Sequence, residues 1–99
     1  MARVVLKQEA IDDLNDIWKY TFEKWSENQA DKYYSSIKFT CSQIGENPQL
    51  GRVYNEINEN IFGLKTGKHI IFYHFVSFDE IEIIRILHEQ MDLKNRLNE

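Results

Sequence analysis

The chain has 99 residues, enough for one domain with one hydrophobic core and too few for two. Hydrophobic residues make up 42% and charged residues 28%, an ordinary globular balance that argues against global disorder. Sixteen acidic against 12 basic side chains leave a formal charge of −4, which excludes a general electrostatic grip on nucleic acid and leaves room only for a local basic site.

The opening MARVVLK enters a strand pattern at once, without the long apolar region of a signal peptide. No apolar run approaches the roughly 20 residues that cross a bilayer, so no membrane association is expected. Cys41 stands alone and cannot form an internal disulfide, which suits a reducing, cytoplasmic setting. Val4, Val5 and Leu6 mark a first strand over Arg3–Lys7. From Gln8 the period changes: Ile11, Leu14, Ile17, Trp18, Phe22 and Trp25 recur at three- and four-residue steps, the apolar stripe of a helix. Acidic Glu9, Asp12 and Asp13 near its start and Lys19 and Lys24 near its end complement the helix dipole.

Ser26-Glu27-Asn28-Gln29 is a capping-box pattern that starts a second helix directly after the first, so the two form an antiparallel hairpin. Ala30, Tyr33, Tyr34, Ile37, Cys41 and Ile44 are its stripe, and Gly45 is expected as a left-handed C-cap with Pro48 beyond it. The core is expected at Leu14, Trp18, Phe22, Tyr34 and Ile37. Residues 46–60 are polar and read as a loop with at most a short extended piece. Ile61–Lys65 is a strand, Thr66-Gly67-Lys68 a turn, His69–Ser77 a strand, and Ile81–His88 another after Phe78-Asp79-Glu80. Met91–Leu97 is a short helical tail.

The pattern is an α+β single domain over residues 1–99: strand, antiparallel helical hairpin, three-stranded antiparallel sheet, short C-terminal helix. Strand 69–77 is apolar on both faces, with Ile71, Tyr73 and Phe75 on one and Ile70, Phe72 and Val76 on the other. Strand 81–88 divides into Ile81, Ile83 and Leu87 against Ile84 and Ile86. Two helices cover one face, so the other needs the 46–60 loop, a dimer mate or a partner, and a partner is the most economical cover.

Little in the chain points to chemistry. His69 and His74 are five apart on one strand and point to opposite faces, and no His-x-x-x-His or Cys-x-x-Cys spacing occurs, so no metal is expected. Cys41 lies on the buried stripe, no Gly-x-Ser-x-Gly is present, and Gly63 and Gly67 do not form a phosphate loop. The acidic set Glu9, Asp12, Asp13 and Asp16 reads as a solvated helix face. The segment RILHEQMD is less ordinary, because Arg85 and His88 end an apolar strand. A two-residue turn at Phe78-Asp79 places His69 opposite His88; a three-residue turn places Tyr73 opposite Arg85. Arg85 then pairs with Glu82, Glu89 or Asp92, or joins a small polar site.

Gly67-Lys-His-Ile-Ile-Phe-Tyr73 and Ile83-Ile-Arg-Ile-Leu-His-Glu-Gln-Met-Asp92 together resemble the ParE toxins of the RelE/ParE toxin–antitoxin superfamily. The resemblance runs through the chain, including Asp13-Leu-Asn-Asp-Ile-Trp18, Asn47-Pro-Gln-Leu-Gly-Arg52 and Glu56-Ile57. It departs from the family where members often carry arginine, at Leu64 or Lys65 before the Gly67 turn, and where they carry a basic residue, at Gln90. The resemblance implies a toxin that inhibits DNA gyrase by protein contact, without cofactor or catalysis, and without binding DNA by itself. It also implies a hetero-oligomer with a ParD-type antitoxin. Target contacts would fall on Lys68, His69, Arg85, His88, Met91 and Asp92, and antitoxin contacts on Ile71, Tyr73, Ile84 and Ile86. The alternative branch is a RelE-like ribosome-dependent mRNA endonuclease, with Tyr73, Arg85 and His88 as its acid–base set. A decayed, non-toxic interaction module is the third reading.

Overall fold

The computed structural model describes residues 2–97. Its elements are β1 (Arg3–Leu6), α1 (Gln8–Lys24), α2 (Glu27–Glu46), β2 (Arg52–Val53), β3 (Phe62–Thr66), β4 (His69–Ser77), β5 (Glu80–His88) and α3 (Leu93–Leu97). The expected α+β order is therefore present, and the central antiparallel strands β3, β4 and β5 are extended at both edges. The sheet order is β1-β5-β4-β3-β2, with β1 parallel to β5 and the other pairs antiparallel. No helix among the described residues is long and apolar enough to cross a membrane.

Local chemistry explains most boundaries. Ser26 caps α2, its side-chain oxygen accepting from the Gln29 N–H at 3.1 Å. Gly67 adopts φ +58° in the β3–β4 turn, the left-handed conformation that glycine takes without strain. Gly45 does not end α2, which continues to Glu46. A Cβ at Gly45 would sit 2.7 Å from Val4 Cγ2, so this glycine lets β1 approach the helix closely. The Ala2 N–H donates to its carbonyl at 2.8 Å.

The helical hairpin packs on one sheet face over Ala10, Leu14, Ile17, Ile37, Cys41, Ile44, Ile71, Tyr73, Ile81, Ile83 and Ile86. Each fully buried aliphatic side chain here contributes roughly 1.5–3 kcal/mol. Leu14 and Ile37 are core as expected. Tyr34 is half-buried against the core. Trp18 is half-buried too, donating from Nε1 to Asp31 at 3.0 Å and stacking on Phe22, which is itself exposed. The stripe rotates off the sheet toward solvent at its far end, because Trp25 is exposed as well.

The opposite sheet face is not open. Tyr54, Ile70, Phe72 and Leu87 form a second buried cluster, covered by Ile57 and Ile61 of the long loop and by Leu93 and Leu97 of α3, with Ile84 alongside. The loop and tail thus supply the cover assigned above to a partner. The residues expected to meet an antitoxin are accordingly internal: Ile71 and Tyr73 are 0% exposed, Ile86 is 2% exposed, and Ile84 is half-buried in the second cluster.

The expected parity of β5 also fails beyond Ile83. Tyr73 pairs with Ile83 while Phe72 pairs with Arg85, so Ile84 is an inserted bulge residue. One extra residue exchanges the faces of everything after it, which sends Ile86 to the hairpin side and Leu87 to the other.

Candidate functional site

The two-residue Phe78-Asp79 turn is the one that forms, since Ser77 pairs with Glu80 and His69 pairs with His88. The imidazoles meet edge to face, with centroids 5.2 Å apart. Beside them β1 has ended: its pairing stops at Leu6–Ile83, and α1 crosses alongside the remainder of β5. A groove opens between α1, the β4–β5 end and the residues leading into α3.

Arg85 finds its carboxylate on α1, and Glu82, Glu89 and Asp92 are not its partners. Arg85 Nε and Nη2 donate to Asp13 Oδ2 and Oδ1 at 2.8 and 2.9 Å. The Ile86 backbone N–H donates to the same Asp13 Oδ2 at 3.0 Å. Asp13 is therefore no solvated residue: the Arg85 and Asp13 side chains are 20% and 14% exposed. This forked pair closes a strand-edge donor that β1 is too short to reach.

Two adjoining cavities of about 520 Å³ each occupy the groove and share Tyr20, His69 and His88. The first also touches Arg85, Met91 and Arg96, and the second touches Trp25, Tyr33 and Lys68. Five of the six expected target residues thus gather here: Lys68, His69, Arg85, His88 and Met91. Asp92 stands apart, accepting from the Asn95 side chain at 2.7 Å at the start of α3. Tyr73, placed with Arg85 and His88 in a ribonuclease set, lines neither cavity. Its hydroxyl donates to the Pro48 carbonyl at 2.7 Å and accepts from the Gly51 N–H at 3.0 Å. That set is not assembled.

Tyr33, Tyr20 and Asp13 are the residues that sequence reasoning missed. Tyr33 hydroxyl lies 2.7 Å from His69 Nδ1 and accepts from the Lys68 N–H at 3.1 Å. Burial raises the Tyr33 pKa, so it remains a phenol donor. His69 is pushed down to about 4, first by burial and then by neighbouring His88, and is neutral at pH 7. Its folded pKa lies below its unfolded one. Stability from this ring is therefore complete above about 6.5 and is lost as pH falls from there toward about 4. The thermal midpoint should fall more between pH 7 and pH 5 in the native chain than in His69→Gln; equal falls would contradict this.

Residues 4–93 match the family model described as the ParE toxin of the type II toxin–antitoxin system parDE. Toxin ParE1 of Mycobacterium tuberculosis H37Rv is 30% identical over 96 residues, covering 97% of this chain and 98% of that protein. Toxin ParE1 of Caulobacter vibrioides is 32% identical over 92 residues, 93% of this chain and 94% of its own. Among solved structures, a chain of the chromosomal ParDE system from P. aeruginosa superposes with TM-score 0.75 at 18% identity, covering 89% of this chain and 96% of that one. A chain of the RelBE2 toxin–antitoxin complex from M. tuberculosis gives 0.63 at 14% identity, covering 89% and 98%. At such identities the two structures speak for the fold alone. With the family model spanning nearly the whole sequence and relatives matched end to end, the chain belongs to the ParE toxin family of type II toxin–antitoxin systems.

Proposed function

We propose that this ParE-family toxin inhibits DNA gyrase by protein–protein contact and is neutralised by a ParD-type antitoxin. The observation that carries this reading is the family match over residues 4–93, taken with a groove in which Arg85 is paired with Asp13 and Tyr33 lies against His69 Nδ1. Residues 61–99 hold five basic side chains (Lys65, Lys68, Arg85, Lys94, Arg96) against six acidic ones, so they gain little from counterion release on RNA. Arg85 is occupied by Asp13, and Tyr73 is buried away from His88, which disfavours the ribonuclease alternative. A groove rimmed by Lys68, His69, His88 and Met91 is suited to a protein surface. The antitoxin half is supported by the family match, whose model is described as the toxin of the type II toxin–antitoxin system parDE. Exposed Tyr20, Phe22, Trp25 and Phe39 on the hairpin offer apolar area for such a partner.

Expression in bacteria should produce DNA damage and filamentation before protein synthesis falls, and co-expression of the ParD-type antitoxin should abolish both. Met91→Glu, at an exposed rim position, should weaken the effect while the chain stays folded. Rapid cleavage of ribosome-bound mRNA, lost on His88→Ala, would move the chain to the ribonuclease branch.

A further inference from the structure

The second cavity of the groove is lined without any carboxylate, in a chain of formal charge −4. Its donors are ordered by hydrogen bonds behind them. Tyr33 hydroxyl already accepts from the Lys68 N–H, and its nearest acceptor is His69 Nδ1 at 2.7 Å, closer than the Thr66 carbonyl at 3.3 Å. The phenol proton therefore goes to Nδ1, and the ring proton of His69 sits on Nε2. His88 follows the same logic: its Nδ1 accepts from the Gln90 N–H at 3.1 Å, leaving its proton on Nε2. Both rings line the cavity, and neither Nε2 is engaged by a hydrogen bond among the described residues. Lys68 lies exposed at its rim and has no ion-pair partner among the described residues. Glu89, the carboxylate next in sequence to His88, is held by Lys65 at 2.7 Å. Trp25 and Tyr20, 76% and 60% exposed, supply flat apolar walls.

We propose that Lys68 and the Nε2–H groups of His69 and His88 form a carboxylate-receiving subsite, walled by Tyr20 and Trp25, which takes an acidic side chain flanked by an apolar one on the protein target. This rests on the reading of the groove as the target-facing surface. An ammonium and two preset N–H donors provide charge-assisted hydrogen bonds to a carboxylate. The aromatic walls accept its neighbour, and the two carboxylates that act on His69, Asp13 and Glu89, are already held by Arg85 and Lys65. A protein acid is favoured over a nucleic-acid phosphate because the chain lacks the basic surroundings that a phosphate backbone needs.

The test uses the full-length ¹⁵N-labelled protein and imidazole NMR signals. The probes are acetyl-Trp-Glu-amide, acetyl-Trp-Gln-amide and a uridine hexanucleotide. The glutamate peptide should shift the Nε2–H signals of both His69 and His88 and bind at least tenfold more tightly than the glutamine peptide. Lys68→Gln should remove that tenfold preference with the imidazole tautomers unchanged. No shift, equal affinity for the two peptides, or tighter binding of the hexanucleotide would overturn the proposal. These peptides contain no gyrase, so failure here is distinct from failure of the target reading. A chain that prefers the glutamate peptide yet leaves gyrase untouched keeps the subsite and removes gyrase as its target.

Discussion

Replacing Tyr73 by alanine is expected to lower the unfolding free energy by roughly 3–5 kcal/mol. The side chain is fully buried, stacks on Phe62 with centroids 5.6 Å apart, and ties the loop after α2 through its hydroxyl. Tyr73→Phe separates the two contributions. It keeps the ring and leaves the Pro48 carbonyl and Gly51 N–H without their partner, a loss of about 1–3 kcal/mol. Denaturant titration should rank the variants native, phenylalanine, alanine, and amide exchange at Gly51 should rise in both. An alanine variant with an unchanged midpoint would contradict the assignment of Tyr73 to the core and return it to a functional surface.

Asp13→Ala should be comparably damaging, about 3 kcal/mol, although no rule of thumb for acidic helix residues would anticipate it. Its removal takes two charge-assisted hydrogen bonds from the Arg85 guanidinium, only 20% exposed, and leaves the Ile86 N–H without its Asp13 acceptor. The double variant Asp13→Ala/Arg85→Ala should lose less than the sum of the two single losses, because either change alone already breaks the shared pair. Additive losses in that cycle would show that the two side chains act independently.

Those two residues illustrate what the sequence made legible and what it hid. Regular periodicity located the hairpin, the strands and their approximate ends, since a 3.6-residue or 2-residue repeat is a local property. The Ser26 cap is equally local, whereas Phe78-Asp79-Glu80 marks a turn without deciding between two and three residues, and only the pairing of His69 with His88 settles it. Arg85 was flagged as anomalous at a strand end, yet its partner lies 72 residues away on a helix, and only the fold brings Asp13 to it. The bulge at Ile84 leaves no composition signal, and it alone inverted the expected faces of Ile86 and Leu87. The cover of the second sheet face was missed because Tyr54, Ile57 and Ile61 sit scattered in a polar loop and give no period. Tyr33 appeared as one more stripe residue. Its hydroxyl, not its ring, makes it part of the groove by orienting His69.

The groove gathers five of the six side chains that the family resemblance assigned to the target, and within it Arg85 is paired with Asp13 while Tyr73 lies elsewhere, which speaks for recognition over acid–base work. That distinction can be measured directly. Purified chain added to purified DNA gyrase, ATP and relaxed plasmid should reduce supercoiling in proportion to its concentration. Met91→Glu and Lys68→Gln should require several-fold more protein for the same inhibition, and the antitoxin should restore activity. Undiminished supercoiling at saturating toxin, with cleavage of mRNA on purified ribosomes by the same preparation, would contradict the account.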